Sequence, residues 1–255
     1  MSIVAVCGDA STTTAVALAS AWPAAQDVLL VEADPSGGDL AAWFDMPTTP
    51  SLSNVVTRVL DGAWPEVECH ARVADSGLRV IPAPAGRGEA AQAVSESARS
   101  LVTTLSRLRS PAIIADTGRV QPSPVAHPFV TASAVNVLVH RQSTQSSGAA
   151  AVRLQRLADE AEVLAAEPAA LIVAVIGAVP FGIGEIERFL EASMGAIAVV
   201  GLPVDELAAS VLGGRTGVSS RRLSRLPLMR ASRDLAAVVE RALAMCPDGP
   251  RGNIR

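Results

Sequence analysis

The chain reads as a series of short apolar runs, each set off from the next by an amphipathic stretch. Residues 3–6, 28–33, 78–82, 112–115, 135–139, 171–176 and 197–200 are largely apolar, without the polar/apolar alternation of a half-solvated strand. Continuous apolar strands are buried on both faces. The stretches 12–22, 95–109, 149–166, 183–191 and 232–245 carry helical spacing; Leu101, Leu105 and Leu108 share one helix face, and Val152, Leu154, Leu157, Ala161 and Leu164 lie largely on one side. Buried strands separated by helices require right-handed crossovers. The expected fold class is therefore α/β: one doubly wound, mostly parallel sheet of about seven or eight strands with helices on both faces. A single domain is expected over residues 1–246, with 247–255 as a flexible tail.

Composition narrows the classes further. Of 255 residues, 49% are hydrophobic and 18% charged, which excludes a disordered chain. The mean hydropathy of +0.35 comes from alanine and valine, and no apolar run reaches the roughly 18 residues of a spanning helix. The opening residues lack the basic stretch of a secretory leader. Cys7, Cys69 and Cys246 are too few and too scattered for a disulfide framework and suit a reducing cytoplasm. With His70, His127 and His140 they show no zinc-ligand spacing. A net charge of -4 opposes general coating of nucleic acid. All 21 basic residues are arginine; the chain contains no lysine and no tyrosine.

Ligands of doubly wound sheets bind beyond the carboxyl ends of the strands. There the first run leads through Gly8 and Asp9 into Ser11, Thr12, Thr13 and Thr14. This is the place of a phosphate-binding loop, which needs glycines for backbone approach, a lysine for the phosphates and a Ser/Thr for Mg²⁺. Gly8 is the lone glycine. The hydroxyls at the helix start suit an anion and equally suit simple capping. Asp34, in VEADPSGGDL, follows the second run. Asp116, in AIIADTG, ends a third, where it can hold Mg²⁺ or start a turn. GLPVDELAASVL, with Asp205, follows a fourth and offers a place for an adenine ring.

Taken together, VEADPSGGDLA, LRVIPAPAGRGEA, AIIADTG and GLPVDELAASVLGG resemble the ParA/MinD family of deviant Walker-A ATPases. The likeness is greatest to divergent actinobacterial MinD-like proteins that resemble the TadZ/CpaE proteins of tight-adherence pilus systems, and it spans residues 2 to about 245. It implies a P-loop NTPase-like fold. Aligned without gaps to the family pattern K-G-G-x-G-K-T-T, Cys7 stands at the signature lysine, Asp9 and Ser11 at glycines and Thr12 at the second lysine. Thr13 then stands at the Mg²⁺ ligand; alternatively the stretch is two or more residues short. Asp34 matches the switch-I region and Asp116 the Walker B aspartate. If the nucleotide site is retained, it comprises Gly8, Asp9, Ser11, Thr12, Thr13, Thr14, Asp34 and Asp116, with Mg²⁺ on Thr13 and Asp116.

The carboxylates persist while the lysines are gone, and Asp9 directed at the same space adds repulsion. One unit-charge contact at 4 Å is worth roughly 4 kcal/mol at an effective dielectric of about 20, about three orders of magnitude in affinity. The expectation is a catalytically degenerate scaffold without ATP or Mg²⁺ and without hydrolysis. The resemblance implies a homodimer docking partners in a pilus, secretion or division apparatus, cytoplasmic or recruited by partners to a pole or the membrane. Two alternatives stay open. One is an ATPase assisted by an arginine, such as Arg119 or a partner's arginine. The other is a DNA-associated partition-type protein using residues 215–233, where Arg215, Arg221, Arg222, Arg225, Arg230 and Arg233 cluster. The closing helix is too evenly charged for stable membrane insertion. Trp43-Phe44 serves either an interface or the core.

Overall fold

The computed structural model describes residues 3–245 apart from 25, 59–66, 99–100, 109–110, 121–126 and 143–144. The expected tail lies outside the described residues. In chain order the elements are β1 (Ile3–Gly8), α1 (Ser11–Ala21), β2 (Val28–Glu32), α2 (Leu40–Trp43), α3 (Leu52–Arg58), β3 (Arg72–Val73) and β4 (Arg79–Ile81). There follow α4 (Arg87–Ser97), α5 (Leu101–Arg107), β5 (Ala112–Gly118), α6 (Pro128–Thr131), β6 (Val135–Arg141), α7 (Ser147–Ala165) and β7 (Ala170–Ile176). The chain continues through α8 (Ile183–Met194), β8 (Ala198–Leu202), α9 (Glu206–Leu212), α10 (Ser220–Leu223) and α11 (Pro227–Met245).

The eight strands form one sheet in the order β3-β4-β2-β5-β1-β6-β7-β8, parallel except for β3 with β4. The fold class is α/β, as the continuous apolar runs require. Alternate residues of each central strand supply the two faces. Val4, Val6, Leu30, Ile114 and Val137 share a cluster with α1 and α11. Leu29, Val31 and Ile113 pack with α3, α4 and α5, while Ala5, Leu138 and Val173 pack with α7 and α8.

Three departures from the expected elements have local causes. The stretch 95–109 contains the end of α4 and the whole of α5. Ser97 Oγ donates to the Val94 carbonyl at 2.6 Å, which competes with continuation of the helix there. β3 is an added edge strand, turned back on β4 by a loop in which Ala74 N–H meets Leu78 O at 2.9 Å and Gly77 adopts φ 84°. β5 runs on through Asp116, which is paired on both sides by β1 and β2, to Gly118, which pairs with Cys7 of β1.

Small residues let α1 lie close to the sheet. Ala15 and Ala17 are fully buried, in the same cluster as Leu235 and Val239 of α11. Ala17→Leu adds volume where none is free. It is expected to destabilise the fold by about 1–3 kcal/mol, read as a lowered midpoint in urea unfolding.

Candidate functional site

The site begins with a very short turn. β1 ends at Gly8 and α1 starts at Ser11, so Asp9 and Ala10 alone connect them. Gly8 has φ 103°, and a Cβ there would run into the Val139 carbonyl of β6. The same carbonyl accepts Asp9 N–H at 2.8 Å. Ala10 then takes the left-handed conformation at φ 54°, unusual for a residue with a side chain, and the helix begins. A phosphate-binding loop sets four residues between its glycines before the lysine; in the ungapped alignment these are residues 7–10, of which Cys7 and Gly8 are held in β1 and only Asp9 and Ala10 lie outside regular structure.

Asp9 is directed away from the start of α1. Its Oδ2 accepts Arg141 N–H at 3.2 Å and lies 3.4 Å from Arg153 Nη1, which also donates to Arg141 O at 3.3 Å. The repulsion expected of Asp9 is therefore offset within the chain. Arg153 has no signal in the sequence; it reaches Asp9 because β1 pairs with β6 and α7 follows β6. Arg119 instead lies where its charge acts on Glu160.

The carboxylates gather on the other side of β1. Between β1 and β5, Val6 opposes Asp116 and Cys7 opposes Gly118, so Thr117 forms a bulge. Thr117 Oγ1 holds it by donating to Val6 O at 3.1 Å. Asp116 is fully buried, with Oδ1 accepting Gly118 N–H at 3.2 Å. Burial raises its pKa to about 6; the hydroxyls of Thr12 and Ser11 pull it back down, and the charge of Asp34 pushes it up. Oδ2 has no partner at full hydrogen-bond geometry. Asp34 is packed so closely against Gly118 (φ 70°) that a Cβ there would strike its carboxylate. Asp34 Oδ1 accepts Ser36 N–H at 2.7 Å, an Asx turn.

Glu32 is an acid of the site that sequence reasoning passes over in favour of Asp34. It stands beside Asp116 in the ladder and is buried. Oε1 accepts the N–H groups of Asp39 at 2.7 Å and Leu40 at 3.0 Å, and Oε2 that of Ala83 at 2.9 Å. The loops after β2 and β4 are thus tied through one carboxylate. Gly38 makes this possible, since a Cβ there would collide with Glu32 Oε2 and with Ala83. Burial pushes the Glu32 pKa up to about 7 against those three donors, with a further push from Asp116. The signal for Glu32 is an acid at the last buried strand position before a Gly-Gly pair. His127 closes this region; its Nε2 is 2.9 Å from Ala33 O, and burial lowers its pKa.

The structure therefore brings Ser11, Thr12, Asp34 and Asp116 together. Gly8 and Asp9 lie against β6, and Thr14 is buried within α1. Thr13 is half-buried one residue beyond the hydroxyls that face Asp116. Asp205 joins two helices to each other. Its Oδ1 accepts Ala208 N–H at 3.0 Å, capping α9, and its Oδ2 accepts Leu228 N–H at 3.1 Å at the start of α11. Trp43 and Phe44 are half-buried against the core, and Gly214 fits against the Trp43 backbone. Arg215, Arg221, Arg222, Arg225, Arg230 and Arg233 are all exposed and make no ion pair among the described residues. Also among the described residues, no group of three or more His, Cys, Asp or Glu could hold a metal, and no helix is long and apolar enough to cross a membrane.

This mostly parallel eight-stranded α/β fold is shared with solved structures of ParA/MinD-type ATPases. A ParA family ATPase from Chlorobium tepidum superposes with TM-score 0.63 at 17% identity, covering 92% of this chain and 96% of that one. The Pyrococcus furiosus cell division ATPase MinD gives 0.66 at 14%, covering 94% and 99%. A chain of the MinC:MinD cell division protein complex of Aquifex aeolicus gives 0.61 at 16%, covering 97% and 96%. No protein-family profile matches the chain, and no curated protein is similar to it in sequence.

The buried acids set a pH dependence. Glu32 and Asp116 have folded pKa values of about 7 and about 6, above their ordinary 4.5 and 3.8. The folded protein therefore holds protons that the unfolded chain releases, and stability falls as pH rises from about 4 to about 7. One such group contributes on the order of 3 kcal/mol. Melting temperature is expected to drop between pH 5 and pH 8, and Asp116→Asn is expected to flatten that drop.

Proposed function

We propose that this chain is a ParA/MinD-like protein that no longer works through nucleotide and serves as an interaction or localisation scaffold. The observation that carries the reading is the two-residue turn Asp9–Ala10 in a chain without lysine. Asp116 with the Ser11 and Thr12 hydroxyls is a set of hard oxygen donors that suits Mg²⁺. The phosphate half does not fit. A turn of two residues leaves no backbone cradle, and Arg153, the cation beside it, is engaged by Asp9. Phosphoryl transfer depends on positioning and charge stabilisation, and neither is built here. An ATPase assisted by Arg153 would require that side chain to leave Asp9; Arg119, whose charge acts on Glu160, and a partner's arginine are the helpers of the alternative reading.

What such a scaffold docks follows from its likeness to positioning proteins. MinD occurs in complex with MinC in one of the similar structures. By the motifs that resemble TadZ/CpaE, the partners proposed here belong to a pilus, secretion or division apparatus. The chain would act as a homodimer in the cytoplasm, brought to a pole or the membrane by those partners. Millimolar Mg-ATP is expected to leave the melting temperature unchanged. A ligand at a hundred times its Kd would add about 2.7 kcal/mol, so a rise of several degrees would overturn the reading.

A second reading, DNA association, is favoured by one observation: six exposed arginines within residues 215–233, none in an ion pair among the described residues. If this surface binds duplex DNA, affinity falls steeply with salt, at a log–log slope of about -0.9 for each phosphate contacted. In a gel-shift titration, replacing Arg215, Arg221, Arg222 and Arg225 by Ala should then weaken binding and reduce that slope. No shift at low salt would remove the reading.

A further inference from the structure

A second site lies between α3 and the helical turn that leads into β3. Thr49, Pro50, Asn54, Arg58, Cys69 and His70 line an open cavity of about 380 Å³. Cys69 is exposed, and its Sγ is 3.1 Å from His70 Nδ1. The turn fixes this pair: His70 N–H donates to Val67 O at 3.1 Å and Ala71 N–H to Glu68 O at 3.0 Å. His70 is only 9% exposed, so its ring is held in place beside the sulfur. Arg58, the last residue of α3, stands on the cavity wall without an ion pair among the described residues. The described lining contains no acid. The guanidinium of Arg72 braces the same wall by donating to Thr49 O. An exposed thiol, an imidazole ring beside it and a guanidinium without an ion pair among the described residues thus share one cavity large enough for a small organic group.

We infer that Cys69 is a site of reversible mixed-disulfide formation with small thiols that carry carboxylates. The co-reactant is the low-molecular-weight disulfide RS–SR. Cys69 Sγ attacks one of its sulfurs, and the thiol proton passes to His70 Nδ1. The Sγ–S bond forms as the S–S bond of the reagent breaks, and RS⁻ leaves with the electron pair. Arg58 attracts the carboxylate of the incoming group. Attack by a thiol of the same class on the mixed disulfide restores Cys69. Cys7 is the internal contrast: it is buried, donates to Val137 O, and burial pushes its thiol pKa up. This inference is independent of the scaffold reading.

The test uses the full chain carrying Cys246→Ser, so that one exposed and one buried thiol remain in the described structure. Oxidised glutathione, which is anionic, is expected to add one adduct by intact mass, mapped to Cys69, faster in the native than in the urea-unfolded protein. Arg58→Gln should slow this reaction about threefold and speed the reaction with cystamine, a cationic disulfide. His70→Gln should slow both by about tenfold or more. The inference is overturned if Cys69 reacts no faster in the native protein, or if Arg58→Gln changes both rates alike or neither.

Discussion

The contact on which the rest of this molecule turns is the one between Gly8 and the Val139 carbonyl. Gly8 approaches β6 so closely that no side chain fits, and Asp9 N–H bonds the same oxygen. β1 therefore stays paired with β6 up to its last residue, and α1 begins after two residues more. From that follow three consequences. The start of α1 sits hard against β5, so the Ser11 and Thr12 hydroxyls meet Asp116. The Asp9 carboxylate is carried to the α7 side, where Arg153 takes it. And the connection from β1 to α1 is left with two residues, Asp9 and Ala10.

The buried acids show how a site without lysine stays folded. Burying an anion is costly unless hydrogen bonds or a counter-charge offset it. Glu32 is met by three backbone N–H groups, which also join the loops after β2 and β4. Asp116 has hydroxyls and one N–H, and the raised pKa of both acids shows that these donors offset desolvation only in part. The carboxyl edge of the sheet is thus held together by a carboxyl group that belongs to the chain.

Much of this was legible in the residues. Strands buried on both faces have no freedom to alternate, so the runs at 28–33, 135–139 and 171–176 marked the central sheet within a residue or two. Edge elements were harder. β3 is two residues long, one of them exposed Val73, and its signal was the turn Asp75-Ser76-Gly77 rather than any apolar run. At the site, Asp34 and Asp116 were found because an acid after a buried strand is conspicuous. Glu32 was not, because its meaning depends on donors seven, eight and fifty-one residues away. Arg153 and the double use of Asp205 were likewise invisible, since each arises from the pairing of elements distant in sequence.

A fold fixes where a ligand can sit, while the residues decide whether one does. In a nucleotide switch the loops at the carboxyl edge take their order from the phosphates, so their shape reports the ligand. Here Glu32 orders the loop after β2, Gly37 and Gly38 seat that loop against Ala83 and Ala85, and Gly214 seats the turn after α9 on Trp43. Each of these contacts is made by the chain with itself. On the scaffold reading, the edge is therefore a standing surface rather than a switched one. A partner meeting it would find the same shape whether or not nucleotide is present, and control of the complex would fall to concentration, to a competing partner, or to chemistry elsewhere on the molecule.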